Sequence, residues 1–345
     1  MKIIHLIIIP FLPVFSFGQL TLGGSDVQDL VLNALSGQGV SISNIDYVGA
    51  PEAISYFQAN SLNSMPFLSG FVMTTGHKNY VVGPNNLPNA GVDNTLPGSS
   101  LMNIITGSQS FDATIVSFDL IPFGDTLRIK FIFGSEEYPE FVGTNFNDGF
   151  AIFISGPGIS GTENIARLPN YSTISVNAIN AGNPDNSTSA SNYFYFLSNG
   201  NGNQAPYNSE PSYLQFDGLT RPILGKINVI PNQSYHIKMV IVDGGDEIFD
   251  SGVFIEEGGI TASVSENNLS NFVNVFYSAS NQQATIQITD YQENLTYSIV
   301  DLSGKVMTQS KITETTFVDM SNYSSGMYLI QVEGSNGKIT KKVIR

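Results

Sequence analysis

Carboxylates are the residues of this chain best suited to chemistry, and two short stretches concentrate them. Glu136, Glu137, Glu140 and Asp148 fall between two apolar runs, and Asp243, Asp246, Glu247 and Asp250 fall within DGGDEIFD. Carboxylates about 4 Å apart repel by roughly 1 kcal/mol even in a water-like dielectric, and a hard cation removes that cost. Calcium, which takes about six to eight oxygen ligands, is therefore the expected cofactor, with Glu136, Glu137, Asp148, Asp243, Asp246 and Asp250 as candidate metal ligands. The spacing is not that of an EF-hand. The competing reading is a solvated acidic surface that keeps an exported protein soluble.

Paired carboxylates also serve glycosidases, and Glu136 or Glu137 opposite Asp148 or Asp246 is the pairing to consider. That chemistry needs carboxyls about 5 to 9 Å apart across a cleft, usually with aromatic sugar platforms, and the chain has no Trp. It also has no Cys, which excludes thiol nucleophiles and thiolate metal sites. Besides His5 near the start only His77 and His236 are present, with no HExxH or GxSxG arrangement, so zinc and serine hydrolases lack their usual residues. His236 sits on a strand and is read as structural. Two functions follow: a non-catalytic surface binding or adhesion module, and alternatively a secreted hydrolase of polysaccharide or protein.

The acidic loop needs strands to position it. Leu127, Ile129, Phe131 and Phe133 alternate with Arg128 and Lys130, the period of a half-buried strand. Phe150 to Ile154 is apolar on both faces and reads as an inner strand. Gly244 and Gly245 give the second cluster the backbone freedom to converge. Further strand-like runs separated by Gly, Pro and Asn indicate an all-β sandwich. One short helix precedes them, with Ser25 as N-cap and Val27, Leu30, Val31 and Leu35 on one face. Residues 83–100 and 180–211 read as long loops.

Residues 1–18 read as a signal peptide, with Lys2, an apolar run, and Ser16-Phe17-Gly18 before the cleavage point. That run is too short to span a bilayer and no later segment could. The 14 Lys and Arg residues include Lys2, leaving 13 against 29 acidic groups, a net charge of −16. Residues 273–345 hold 6 of each sign, so the excess belongs to the preceding segment. Such a surface repels phosphate backbones, so no nucleic-acid partner is expected.

FGSEEY at Phe133 to Tyr138, NDGF at Asn147 to Phe150, SGPG at Ser155 to Gly158, DGLT at Asp217 to Thr220 and DSGVFIE at Asp250 to Glu256 resemble the choice-of-anchor L domain of bacterial surface proteins. YSIVDLSGKV at Tyr297 to Val306, SSGMYLIQV at Ser324 to Val332 and GKITKKVIR at Gly337 to Arg345 resemble the type A C-terminal sorting domain of the type IX secretion system. The second resemblance implies an immunoglobulin-like sandwich, export by that machinery to the surface or the medium, and a Bacteroidetes source. NDGFAIFI is also similar to a segment of legume-type lectins whose aspartate contacts sugar, which implies Asp148 and Asn147 as ligand-binding residues for an extracellular glycan.

The expected organisation is thus a signal peptide at 1–18, a large jelly-roll or lectin-like β-sandwich over 19–258 carrying the one helix, a linker over 259–272, and a small immunoglobulin-like β-sandwich over 273–345.

Overall fold

The computed structural model describes residues 20–59, 65–200, 214–263, 273–289, 295–334 and 337–345, so the expected signal peptide lies outside the described residues. The chain divides into two units, Met1–Ser263 and Val264–Arg345. In the first unit the strands are β1 Thr21–Leu22, β2 Val40–Val48, β3 Ile54–Gln58, β4 Ser69–Thr74, β5 Ser110–Pro122, β6 Thr126–Ser135 and β7 Gly149–Ser155. They continue as β8 Glu163–Asn164, β9 Ile174–Ser175, β10 Phe196–Ser198, β11 Gly218–Thr220, β12 Ile223–Asn228, β13 Tyr235–Gly244 and β14 Ser251–Ser263. One sheet runs β1-β3-β4-β14-β6-β11-β10 with β12 also on β6, and the other runs β2-β5-β13-β7-β8 with β9 also on β7.

The alternation read in β6 is the alternation of the core. Leu127, Ile129, Phe131 and Phe133 are fully buried, whereas Arg128 and Lys130 reach solvent. Phe131 meets Phe150 of β7 edge to face at 5.1 Å between ring centroids, joining the two sheets through one shared core. On β7, Phe150, Ile152 and Ile154 face that core, while Ala151 packs with Met102, Ala113, Val240 and Val242 on the other side. Cover on both faces is what an unbroken apolar strand requires.

A short helix, α1 Val27–Asp29, continues as π-helical Leu30–Leu35 and buries Leu30, Val31, Ala34 and Leu35 against β14 and β4. Its cap is Asp26 and not Ser25: the Asp26 carboxylate accepts the Asp29 N–H at 3.0 Å. The sequence reading also ends this sandwich at residue 258, before Gly259, yet β14 continues to Ser263. Its pairing with β6 shifts register between Ile255 and Ile260, so the residues between bulge out and pairing resumes. Ile260 and Ala262 thereby re-enter the core. A linker beginning at 259 is corrected accordingly, and residues 264–272 lie outside the described residues.

In the second unit β15 Val273–Ser278, β16 Gln283–Ile288 and β19 Thr316–Asp319 form one sheet. The other consists of β18 Val306–Ile312, β17 Leu295–Asp301, β20 Met327–Gly334 and β21 Gly337–Ile344. Ala284, Ile286, Leu295, Ile299, Met320, Ile330 and Val332 fill its separate core. Among the described residues, no helix is long and apolar enough to cross a membrane.

Phe131→Asp is expected to abolish cooperative melting of the first unit, because it puts an unpaired charge into a closed core at a cost of several kcal/mol. Lys130→Asp loses only the half-exposed ion pair to Glu256 at 3.0 Å and a cation–π contact with Phe67 at 5.0 Å. It should cost about 1–2 kcal/mol and leave a sharp transition. Circular-dichroism melts of the two variants decide it, and similar transitions in both would put the register of β6 in error.

Candidate cation site

Strand register assembles the acidic residues. Ser135, the last residue of β6, pairs with Gly218 of β11 on one side and Ser251 of β14 on the other. In antiparallel ladders the next step brings Glu136 level with Asp217 and with Asp250. The Glu136 N–H donates to the Asp250 carbonyl at 3.0 Å, continuing the ladder. In the other sheet Val242 pairs with Gly149, so one step on Asp243 stands beside Asp148. The Ser251 hydroxyl donates to Asp148 Oδ2 at 2.7 Å and the Gly244 N–H to Asp148 Oδ1 at 2.9 Å, tying the two strand ends together. The two acidic stretches of the sequence thus form one cluster, at the same end of both sheets.

Two glycines make room for it. A Cβ on Gly76 would stand 1.6 Å from Asp250 Oδ2, and Gly245 turns the chain after β13 at φ +96°.

Asp112, Glu136, Glu137, Asp148, Asp217, Asp243 and Asp250 are each at most 1% exposed, and no Lys, Arg or His is buried among the described residues. Nor does any cationic side chain pair with these seven. Both carboxylate oxygens of Glu136 and of Asp243, and one each of Glu137, Asp217 and Asp250, accept no hydrogen bond. The Ala90 N–H and the Gln215 amide face Glu136, the Thr75 hydroxyl and the Asp148 carboxyl face Asp243, and the His77 N–H faces Asp250, none of them reaching hydrogen-bond geometry with the oxygens named. Leaving ionised oxygens in this state costs several kcal/mol per group.

Burial, reinforced by neighbouring carboxylates, raises all their pKa values. Asp148 is pushed up to about 7, where donation from Gly244 and Ser251 partly offsets burial. Asp217 is pushed up to about 8, by burial and then by Glu140. Glu137 rises to about 11, by burial, then Asp148 and Asp246. Glu136, Asp243 and Asp250 lie well above the carboxylate range, with burial first and acidic neighbours second.

Five of the six candidate ligands, Glu136, Glu137, Asp148, Asp243 and Asp250, lie inside this cluster. Asp246 stands half-buried at its rim, with Oδ1 accepting the Ile248 N–H at 3.3 Å, and its charge raises both Glu137 and Asp148. Asp217 and Asp112 were not singled out by the sequence. Asp217 lies in a loop just before β11, where Asn85 Nδ2 donates to its Oδ1 at 2.7 Å. Asp112 joins Asp93 and Glu247 in the one group of three carboxylate oxygens within 4.8 Å of one another among the described residues. Its own oxygens already accept the N–H groups of Asn94 and Leu96 at 2.8 and 2.7 Å.

Sugar contact through Asp148 and Asn147 does not suit their placement. Asp148 is fully buried with both oxygens engaged, and Asn147 donates to the Thr106 carbonyl at 2.7 Å while accepting the Asn177 N–H at 2.8 Å. Neither offers a free face to a sugar. His236 holds Asp119 at 2.9 Å, and His77 Nδ1 accepts the Asn79 N–H at 3.1 Å.

No curated protein matches the sequence. Likeness to solved structures is slight. The Ruminococcus gnavus β-glucuronidase in complex with uronic isofagomine has TM-score 0.20 and 7% identity over 67% of this chain and 35% of that one. Its apo structure has TM-score 0.21 and 7% identity over 91% and 46%. The chain thus spans less than half the length of these enzymes, and likeness so low carries no argument. Family models are more informative: that of the choice-of-anchor L domain matches residues 22–261, and that of the secretion system C-terminal sorting domain matches residues 274–345. The chain accordingly belongs to the choice-of-anchor L domain family, and its sorting tail directs it through the type IX secretion machinery to the cell surface or the extracellular space.

Proposed function

We propose that this is a non-catalytic binding or adhesion protein whose first unit holds calcium in the buried carboxylate cluster. The observation that carries the reading is the set of carboxylate oxygens without hydrogen bonds inside an all-acidic core. An oxygen-only donor set suits calcium; zinc prefers nitrogen and sulfur, and magnesium prefers a tight octahedron that keeps several waters. Calcium here would brace the end of the sandwich, from which exposed loops present a surface to an external ligand such as a glycan. The alternative, a hydrolase, is disfavoured because the same carboxylates are closed off from solvent, whereas glycoside hydrolysis needs them across an open cleft.

Calcium titration of the purified protein tests this. An ion that binds only the folded state adds about 2.7 kcal/mol at a hundredfold excess over Kd, and extracellular modules bind with Kd of about 10⁻⁴ to 10⁻³ M. The melting temperature of the first unit should rise through the millimolar range and fall in chelator. Glu136→Gln with Asp250→Asn should remove most of the shift. Superimposable melts in calcium and in chelator would leave the cluster without a metal role.

A further inference from the structure

We infer that a surface around Tyr171, Tyr193 and Phe194 binds an anionic polysaccharide, one whose sugars carry carboxylate or sulfate groups, through these rings together with Arg167, Arg221 and Lys226. The inference gives a ligand class to the binding reading above and rests on it, but draws nothing from the carboxylate cluster.

Exposure and charge carry the inference. Tyr171, Phe194 and Tyr193 are 78%, 75% and 64% exposed, the three highest values of any aromatic side chain among the described residues. Residues 20–263 hold seven basic side chains, and three of them lie beside these rings. Tyr193, Phe194 and Arg221 line an open hollow of about 540 Å³. Arg167, Tyr171, Leu224 and Lys226 line another of about 230 Å³. Glu163 is the one acidic residue lining either hollow. The chain has 29 acidic residues, and Lys78 and Lys130 each hold a glutamate, yet Arg167, Arg221 and Lys226 pair with no carboxylate among the described residues. Unpaired cations beside exposed rings complement a ligand that has apolar faces and negative substituents. A pyranose ring packs its C–H face on an aromatic ring, and its acidic substituents meet the cations. Acidic residues more than about 8 Å away are screened at physiological salt, so the net negative charge of the unit does not cancel this local match.

Hydrogen bonds hold the surface together. Asn170 Nδ2 donates to Asn192 Oδ1 at 2.8 Å and Asn192 Nδ2 to Ser172 Oγ at 3.2 Å, so the loop carrying Tyr171 is fastened to the turn carrying Tyr193 and Phe194. The Arg221 N–H donates to the Tyr195 carbonyl at 2.7 Å and its Nε to the Phe194 carbonyl at 2.8 Å, with the guanidinium carbon 5.6 Å from the Phe194 ring centroid. The guanidinium is thereby oriented, and its two Nη groups, without a partner among the described residues, are left for a carboxylate or sulfate. On β12 Leu224 and Lys226 stand exposed while Ile223 and Gly225 turn inward, which puts the apolar and the charged side chain on one outer face. Tyr171 has φ +67°, a region that bulky residues rarely occupy, and strain of that kind collects where ligands are held.

Isothermal titration of the full protein with dextran sulfate, oligogalacturonate, uncharged dextran and a single-stranded oligodeoxythymidine tests this. Dextran sulfate or oligogalacturonate should bind at least about tenfold more tightly than dextran, and the tighter of the two identifies sulfate or carboxylate as the group recognised. Tyr171→Ala and Phe194→Ala should each weaken binding about tenfold. Arg167→Gln with Lys226→Gln should do the same and flatten the dependence of affinity on salt. All four side chains are exposed, so the variants should melt with wild type. Lys238→Gln, on β13 in the other sheet, should bind as wild type does. Binding that survives the aromatic and basic substitutions, or that Lys238→Gln weakens equally, overturns the site. Equal or tighter binding of oligodeoxythymidine overturns the sugar assignment, and no binding of either anionic polysaccharide overturns the whole inference. Those failures leave the calcium reading to its own melts. New reducing ends released from oligogalacturonate would instead overturn the non-catalytic reading itself.

Discussion

Deleting residues 273–345 is expected to reduce surface display to background while the first unit accumulates, folded, inside the outer membrane. The two units have separate cores, so the first has no need of the second to close its apolar surface. The tail ends in β21, the edge strand of its sheet, with Lys338, Lys341 and Lys342 exposed. Lysines on an edge strand discourage pairing with other chains and leave a basic strip available for recognition. Arg345 Nη2 donates to the Ser321 carbonyl at 2.6 Å and to Gln282 Oε1 at 3.1 Å, fastening the terminus to the body of the domain. Cell fractionation with antibody labelling of intact cells measures the effect, and limited proteolysis of the retained fragment reports its fold. Normal display of the truncated protein would mean that the address lies elsewhere.

The parts of this molecule legible in the sequence are those set by neighbours along the chain. The alternation Leu127, Ile129, Phe131, Phe133 gave β6 its buried face, and the apolar run from Phe150 gave β7 its inner position, because side-chain period is local. Asp217 was not legible as a member of the acidic site, since its place beside Glu136 follows from the pairing of Gly218 with Ser135 across a long connection. Turn chemistry misled at Glu256–Gly259, where glycines that usually end a strand make a bulge, and the ladder with β6 holds the chain in line through Ser263. Two-residue strands such as β8 and β9 carry no period at all and exist only through pairing with β7. β15 and β19 of the second unit likewise escaped a reading based on apolar runs. Asp26 took the capping role assigned to Ser25, one residue away, which is the ordinary uncertainty of a helix start.

In chelator the first unit is expected to melt higher at pH 5 than at pH 8, and in millimolar calcium this order should reverse. A carboxylate whose folded pKa is raised stabilises the fold fully below its unfolded pKa, about 3.9 for Asp, and that contribution is lost as pH rises through the folded value. With Asp148 at about 7 and Asp217 at about 8, the loss falls between about pH 4 and pH 8. Glu136, Asp243 and Asp250, raised well above the carboxylate range by burial first and by acidic neighbours, shift in the same direction and add to this loss. The carboxylates with lowered values are Glu52 beside Lys78, Asp119 with Asn44 and His236, and Asp301 and Asp319 in their turns. Their contributions are lost only on acidification below about pH 4, outside the interval compared. Calcium inverts the sign because it binds the deprotonated ligands, so rising pH strengthens binding and with it the fold. The full comparison needs four melts, two pH values with and without calcium. Equal or higher stability at pH 8 in chelator would show that the cluster is not held in the strained, desolvated state from which its affinity for a cation is argued.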